Sequence, residues 1–135
     1  MKVVVDANVI VSALATRGLC CELLADLQRS HEVVLAECVL REVERVLTDK
    51  FRAPPALVAE RLAWLRAQCT VAADAVVIGT WSRDADDDRV IAVAIEVGAV
   101  AIVTGDADLL ILGVVQQVVM VAPRDWRRFE ADTLG

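Results

Sequence analysis

The chain has 135 residues, of which 57% are hydrophobic and 25% are charged, and its formal net charge is −6. This length is typical of one domain, and the acidic balance argues against nonspecific electrostatic binding of nucleic acid. The apolar fraction exceeds the usual range, so we expect either a large core or an apolar surface that a partner covers.

Three further classes are excluded by local features. Asp6 and Asn8 interrupt the first apolar stretch where a signal peptide must stay apolar, and Glu96 interrupts the most apolar later segment, residues 90–103. We therefore expect a soluble, cytoplasmic protein with no membrane association. The four cysteines lack Cys-x-x-Cys spacing and the chain has a single histidine, so we expect reduced thiols and no zinc site.

Taken in chain order, short apolar runs alternate with helical periodicities. Runs of β-branched residues bounded by turn residues predict buried strands, and apolar residues at helical spacing predict helices. The predicted elements are a strand at 2–6, helices at 8–14 and 20–29, a strand at 32–36, helices at 39–48 and 54–68, a strand at 70–73, a polar loop at 81–87, a helix at 88–97, a strand at 99–103, a helical turn at 106–112 and a strand at 118–121. This alternation implies right-handed crossovers, so we predict a single α/β domain, a three-layer α/β/α sandwich with a mainly parallel central sheet.

Four acidic residues occupy positions in this pattern that favour a shared site. Asp6 and Asp106 follow predicted buried strands, at the edge where open α/β sheets bind ligands. Glu42 lies beside the apolar stripe of its helix, and Asp88 lies in the first turn of a largely buried helix, where the dipole favours an anion. Two carboxylates about 5 Å apart repel by roughly 3 kcal/mol at an effective dielectric constant of about 20. If the fold unites these acids, they must protonate or bind a hard cation, and we predict a Mg²⁺ or Mn²⁺ site.

Each acid alone also fits an ordinary structural role, and two other enzyme classes place acids at strand ends. Asp6 could simply cap a helix, and a helical glutamate such as Glu42 is usually solvated. A receiver-type phosphoacceptor domain needs a lysine near the end of a late strand, but the lysines here are Lys2 and Lys50. A phosphatase with an aspartyl nucleophile needs Asp-x-Asp after the first strand, where this chain has Asn8.

Taken together, the motifs resemble the PIN domain family, and in particular its bacterial VapC-like branch. The matching positions are Asp6 and Asn8 for the family's Asp-x-Asn, Glu42 for its helical glutamate, Asp88 for the aspartate before an Ile-Ala-x-Ala run, residues 103–110 for a Val-Thr-Gly-Asp-x-Asp-Leu-Leu string, and residues 121–126 for the last strand, proline and aromatic residue. Two positions depart from the pattern: Ala85 replaces a frequent proline, and Cys38 stands near a position often filled by serine or threonine, which weakens the expected cap of the helix of Glu42.

The resemblance implies one PIN-like nuclease domain over residues 1–135, acting as a metal-dependent endoribonuclease and as the toxin of a type II toxin–antitoxin system. It implies an RNA substrate and an antitoxin protein as partners, and the apolar excess of the sequence suggests a homodimer. By resemblance, the metal ligands are Asp6, Asp88 and Asp106, with Glu42 as a fourth catalytic residue and Asn8, Thr104, Asp87 and Asp108 as neighbours that hydrogen-bond the ligands. The alternative is a catalytically inactive PIN-like domain that binds protein or RNA.

Overall fold

A central six-stranded sheet flanked by helices forms the protein over residues 1–134, which are the residues that the computed structural model describes. The strands are β1 (Lys2–Val5), β2 (Glu32–Ala36), β3 (Thr70–Ala72), β4 (Ala101–Val103), β5 (Val114–Val115) and β6 (Val118–Val121). The helices are α1 (Ala7–Ala15), α2 (Leu19–Ser30), α3 (Glu37–Asp49), α4 (Pro55–Gln68), α5 (Ala85–Val97), α6 (Ala107–Leu110) and α7 (Trp126–Leu134), with a 3₁₀ turn at Pro123–Asp125. The predicted α/β class and mainly parallel sheet are confirmed, while the predicted domain end at residue 135 lies outside the described residues.

The strand order is β3-β2-β1-β4-β6-β5, and every pairing is parallel except that of β5 with β6. β1 lies between β2 and β4, with Val5 opposite Val103. The carboxyl ends of β1 and β4 therefore meet at one edge of the sheet, and the Asp6 N–H donates to the Val103 carbonyl at 2.9 Å. This junction brings the sequence segments 6–8 and 104–106 together.

The strands at the centre of the sheet are buried along their whole apolar length, as a parallel sheet covered by helices requires. Val3, Val4 and Val5 of β1 have no exposed surface, and neither do the residues of β4. Ile10 of α1 is also fully buried. The loops that carry the predicted site residues therefore follow strands that are fully buried.

Helix α5 begins earlier than the sequence pattern predicts, at Ala85 instead of Asp88. Asp84 provides the reason, because its Oδ1 accepts a hydrogen bond from the Asp86 N–H at 2.9 Å and caps the helix. The helix ends at Gly98, whose φ of 72° lies in the left-handed region that favours glycine. The acidic run from residue 86 to 88 is therefore helical, not a loop.

Within residues 1–134, no single helix is both long enough and apolar enough to cross a membrane; α1 and α2 pass such a test only when taken as a pair, which is bent by 111°.

Candidate active site

An open cavity of about 920 Å³ lies at the carboxyl edge of the sheet. Its walls come from α1, α3 and the start of α5, and Asp106 closes the end nearest β4. The predicted site residues that line it are Asp6, Asn8, Glu42, Asp87 and Asp106. The fold therefore places acids from four separate segments of the chain around one open space.

Asp6 is buried at the junction of β1 and α1, with 8% of its surface exposed. Its Oδ1 accepts from the Ala7 N–H at 2.8 Å, so Asp6 caps α1. Its Oδ2 accepts from Asn8 Nδ2 at 3.0 Å and from Thr104 Oγ1 at 2.8 Å. Burial raises the pKa of Asp6, and the neighbouring Asp106 raises it further, although these hydrogen bonds act in the opposite direction. The carboxylate is thus fixed in place but costly to ionise without a cation.

The turn that carries Asp106 is tied to the turn that carries Asp6. Thr104 Oγ1 accepts from the Asp106 N–H at 3.0 Å, and Asn8 Oδ1 accepts from the Gly105 N–H at 2.8 Å. A Cβ at Gly105 would lie 3.3 Å from Asn8 Oδ1, which is tighter than ordinary van der Waals contact and favours glycine there. Asn8 and Thr104, predicted as neighbours of the ligands, therefore connect the two strand ends.

Asp87 and Asp88 are both buried but face different partners. Asp88 Oδ1 accepts from the backbone N–H groups of Trp81 and Ser82 at 3.1 and 2.8 Å. Asp87 Oδ2 accepts from Ser82 Oγ at 2.9 Å, and Asp87 lines the cavity, whereas Asp88 is not among the lining residues of the described chain. The family resemblance implies a metal-ligand role for Asp88 and a hydrogen-bonding role beside the ligands for Asp87. The geometry brings Asp87 to the cavity, and the metal role of Asp88 stays a prediction.

Asp87 carries the clearest electrostatic signature of the site. Burial raises its pKa to about 6, and repulsion from Asp106, Asp84 and Asp6 acts in the same direction, although Ser82 opposes it. A carboxyl group that is buried among like charges tends to bind a proton or a cation, and such groups are common in functional sites. Since Asp106 and Asp6 both act on Asp87, the three acids share one electrostatic environment.

Three carboxylates converge closely enough to share one ion. Asp87, Asp106 and Asp108 each bring an oxygen atom within 4.8 Å of the others. Asp106 caps α6 through Oδ1, which accepts from the Asp108 N–H at 2.8 Å, and Asp108 Oδ1 also pairs with Arg83 Nε at 3.0 Å. An all-oxygen donor set suits Mg²⁺ or Mn²⁺ and not a soft metal, so these residues fit the predicted ion type.

Glu42 lies on the opposite wall of the cavity and is paired with a cation. Arg45 Nε and Nη2 donate to its two carboxylate oxygens at 3.0 and 2.5 Å. Its side chain is 43% exposed, and it is outside the group of three converging acids in the described residues. The spacing of three residues on α3 is the sequence signal that predicts this pair.

Several solved structures have similar folds, whereas no curated protein sequence matches the chain. The crystal structure of VapBC2 from Rickettsia felis, bound to a DNA fragment from its promoter, superposes with a TM-score of 0.66 at 13% identity, and the match covers 90% of this chain and 98% of that one. The crystal structure of PAE2754 from Pyrobaculum aerophilum superposes with a TM-score of 0.57 at 15% identity, covering 98% and 91% respectively. The family profile described as PIN domain matches residues 2–108. The chain therefore belongs to the PIN domain family.

Proposed function

We propose that this protein is an endoribonuclease that depends on Mg²⁺ or Mn²⁺ and hydrolyses RNA at the acid-lined end of the cavity. The observation that supports this most directly is the convergence of Asp87, Asp106 and Asp108 within 4.8 Å, beside a buried Asp6. Without a cation, such a group is destabilising, as the raised pKa values of Asp6 and Asp87 indicate. A nuclease that uses metal-activated water needs this donor set and no histidine base.

The proposed ligands are Asp6, Asp87 and Asp106, with Asp108 alongside. When bound, a divalent cation supplies an activated water and neutralises charge on the scissile phosphate. Thr104 and Asn8 hold the Asp6 carboxylate in a fixed orientation through their hydrogen bonds to Oδ2. Glu42, across the cavity, is proposed to orient the attacking water. The expected products are a 5′-phosphate and a 3′-hydroxyl.

Asp88 has a positioning role in this proposal. Its two backbone hydrogen bonds tie the loop before α5 to the first turns of that helix. This contact sets the rotation of the helix and thereby directs Asp87 into the cavity. Asp88 would then influence activity through Asp87 even if it does not touch the ion.

We further propose that the protein is the toxin of a type II toxin–antitoxin system, active in the cytoplasm as a homodimer. The fold likeness to a VapBC2 complex and the apolar surface support this. Val76, Ile78 and Ile111 expose 83%, 66% and 84% of their surface. Apolar side chains that are this exposed favour a covering partner, such as an antitoxin segment or a second copy. Sedimentation at high concentration tests the dimer, and a purely monomeric protein would contradict it.

The test of activity is cleavage of a labelled single-stranded RNA pool in Mg²⁺, Mn²⁺ or EDTA. Wild type should cut only with metal, Asp6→Asn should not cut, and Asp132→Asn, an exposed acid on α7, should cut like wild type. If RNA or protein binding is retained while no metal supports cutting, the catalytically inactive alternative is correct. Cutting by Asp6→Asn at the wild-type rate would refute the proposed metal site.

A further inference from the structure

The cavity extends well beyond the acids. From Asp6 it follows α1 as far as Thr16, and on the facing wall it follows α3 as far as Val46, ending at Lys50 and Phe51. The nine residues of α1 span about 13 Å at 1.5 Å per residue. A cavity that follows α1 over this length has room for a short run of nucleotides.

An aromatic ring is presented at this far end. Phe51 exposes 50% of its surface while lining the cavity, whereas the other phenylalanine, Phe129, packs against the core. The turn that carries Phe51 is defined by its backbone: the Phe51 N–H donates to Val46 at 3.2 Å, and the Ala53 N–H donates to Leu47 at 3.0 Å. The next residue, Arg52, has a φ of 52°, a left-handed conformation that surrounding contacts must hold in a non-glycine residue.

Cations border this aromatic surface. Lys50 lines the same wall, and Arg89 lines the wall formed by α5, whereas Arg45 is already paired with Glu42. Lys50 has no ion pair within residues 1–134, and Arg89 lies only loosely against Asp86, at 3.8 Å. The acids of the cavity lie toward the other end, so the unpaired charge of Lys50 is available to a phosphate group at the far end.

We propose that the far end of the cavity is a nucleotide subsite of the nuclease. It binds an unpaired nucleotide of single-stranded RNA, with the base stacked on Phe51 and the adjoining phosphate contacting Lys50. Proteins bind single-stranded RNA by stacking its bases on aromatic side chains and contacting its phosphates with basic ones, and a duplex does not allow this stacking because its bases are already paired and stacked. The subsite rests on the proposed nuclease function, since it assigns substrate-positioning roles to Phe51 and Lys50 in the same cavity.

Binding can be measured without cleavage, in EDTA and in the Asp6→Asn background. The probe is a fluorescein-labelled, unstructured single-stranded RNA of mixed sequence, followed by anisotropy, with the same RNA annealed to its complement for comparison. Phe51→Ala should weaken single-strand binding by about fivefold or more, and Phe51→Trp should restore it. Trp64→Ala is the matched control, since Trp64 on α4 is 43% exposed but lies outside the cavity lining.

The phosphate contact has a separate readout. Lys50→Gln should reduce the slope of log K against log salt by about 0.7, as expected for one lost single-strand phosphate contact. Lys2→Gln is its control, because Lys2 is exposed at the amino end of β1, away from the cavity. In the cleaving protein, Phe51→Ala should raise KM with little change in kcat, because uniform binding is lost.

The outcomes distinguish failure of the proposed subsite from failure of the proposed nuclease function. If the parent protein cuts and binds single-stranded RNA while Phe51→Ala and Lys50→Gln behave like their controls, the subsite is wrong and the nuclease stands. Equal binding of duplex and single strand would also overturn the subsite. If Phe51→Ala leaves RNA binding intact but disrupts assembly with a protein partner, this surface is a protein interface instead. If the parent neither cuts nor binds RNA, the proposed function itself fails.

Discussion

Replacing Asp87 with asparagine is expected to stabilise the metal-free protein at neutral and alkaline pH. The folded protein holds the pKa of Asp87 at about 6, against 3.8 for an unburied aspartate, chiefly because of burial and then of Asp106, Asp84 and Asp6. One pKa unit corresponds to about 1.4 kcal/mol, so the ionised Asp87 side chain costs the folded protein about 3 kcal/mol. Losing a favourable first-turn anion offsets this by about 0.3–1 kcal/mol, which leaves a net gain of about 2 kcal/mol.

The sign of the pH dependence follows from the direction of the pKa change. Because the folded protein binds this proton more tightly than the unfolded chain, its contribution to stability is fully present below about pH 4. It is lost as the pH rises through about 6, where the carboxyl group of Asp87 ionises in the folded protein. Asparagine cannot ionise, so the advantage of the variant should be near zero at pH 4 and largest at pH 8.

Thermal unfolding in EDTA at pH 4, 6 and 8 measures this effect. A gain of about 2 kcal/mol corresponds to a rise in Tm of about 5–10 °C for a chain of this size. Asp86→Asn is the matched control, since Asp86 lies in the same first turn of α5 but its side chain is 78% exposed. If Asp87→Asn lowers the Tm at pH 8, or raises it equally at pH 4 and pH 8, the inferred repulsion is wrong. Saturating Mg²⁺ should reverse the order, because wild type alone gains the free energy of binding.

Three further predictions concern the neighbours of this site. Asp88→Asn should destabilise the protein by about 1–3 kcal/mol, because it weakens two charge-assisted backbone hydrogen bonds. The Tm of this variant should still rise when Mg²⁺ is added. Loss of that rise would show that Asp88 is a metal ligand. Thr104→Val should cost about 1–3 kcal/mol in urea unfolding and lower kcat, because it removes the hydroxyl group between Asp6 and Asp106, whereas Thr104→Ser should retain both properties. Cleavage should fall as the pH drops below about 6, because a proton on Asp87 competes with the cation; a pH–rate profile that is flat from pH 5 to 8 would contradict this.

The fold is predicted by strong sequence patterns, whereas strand β5, which is not predicted, has only a weak pattern. The apolar runs of β1 and β4 predict buried strands but not their order in the sheet, and the comparison with solved structures confirms the predicted class. The two-residue strand β5 was not predicted. Its hairpin turn uses Gln116 and Gln117, with φ values of 46° and 74°, instead of the asparagine and glycine that usually signal such a turn. Without that turn signal, a run of valines is too short to assign.

In the candidate site, the sequence predicts where the acidic residues lie better than it predicts which way their side chains point. Strand ends are predictable, so the positions of Asp6 and Asp106 at the sheet edge could be anticipated from the sequence. The orientation of an acid on a helix is less predictable, because successive residues point about 100° apart around the axis. Which of Asp87 and Asp88 turns inward depends on the cap at Asp84 and on the backbone of the loop before it, and both are tertiary details of a polar run. Neighbouring positions on the helix therefore have opposite effects on the metal-free protein: the Asp87 carboxylate destabilises it, and the Asp88 carboxylate holds the loop before α5. In EDTA, Asp87→Asn is therefore predicted to raise the Tm and Asp88→Asn to lower it. These two Tm values test which of the two carboxylates faces the cavity, without any measurement of activity.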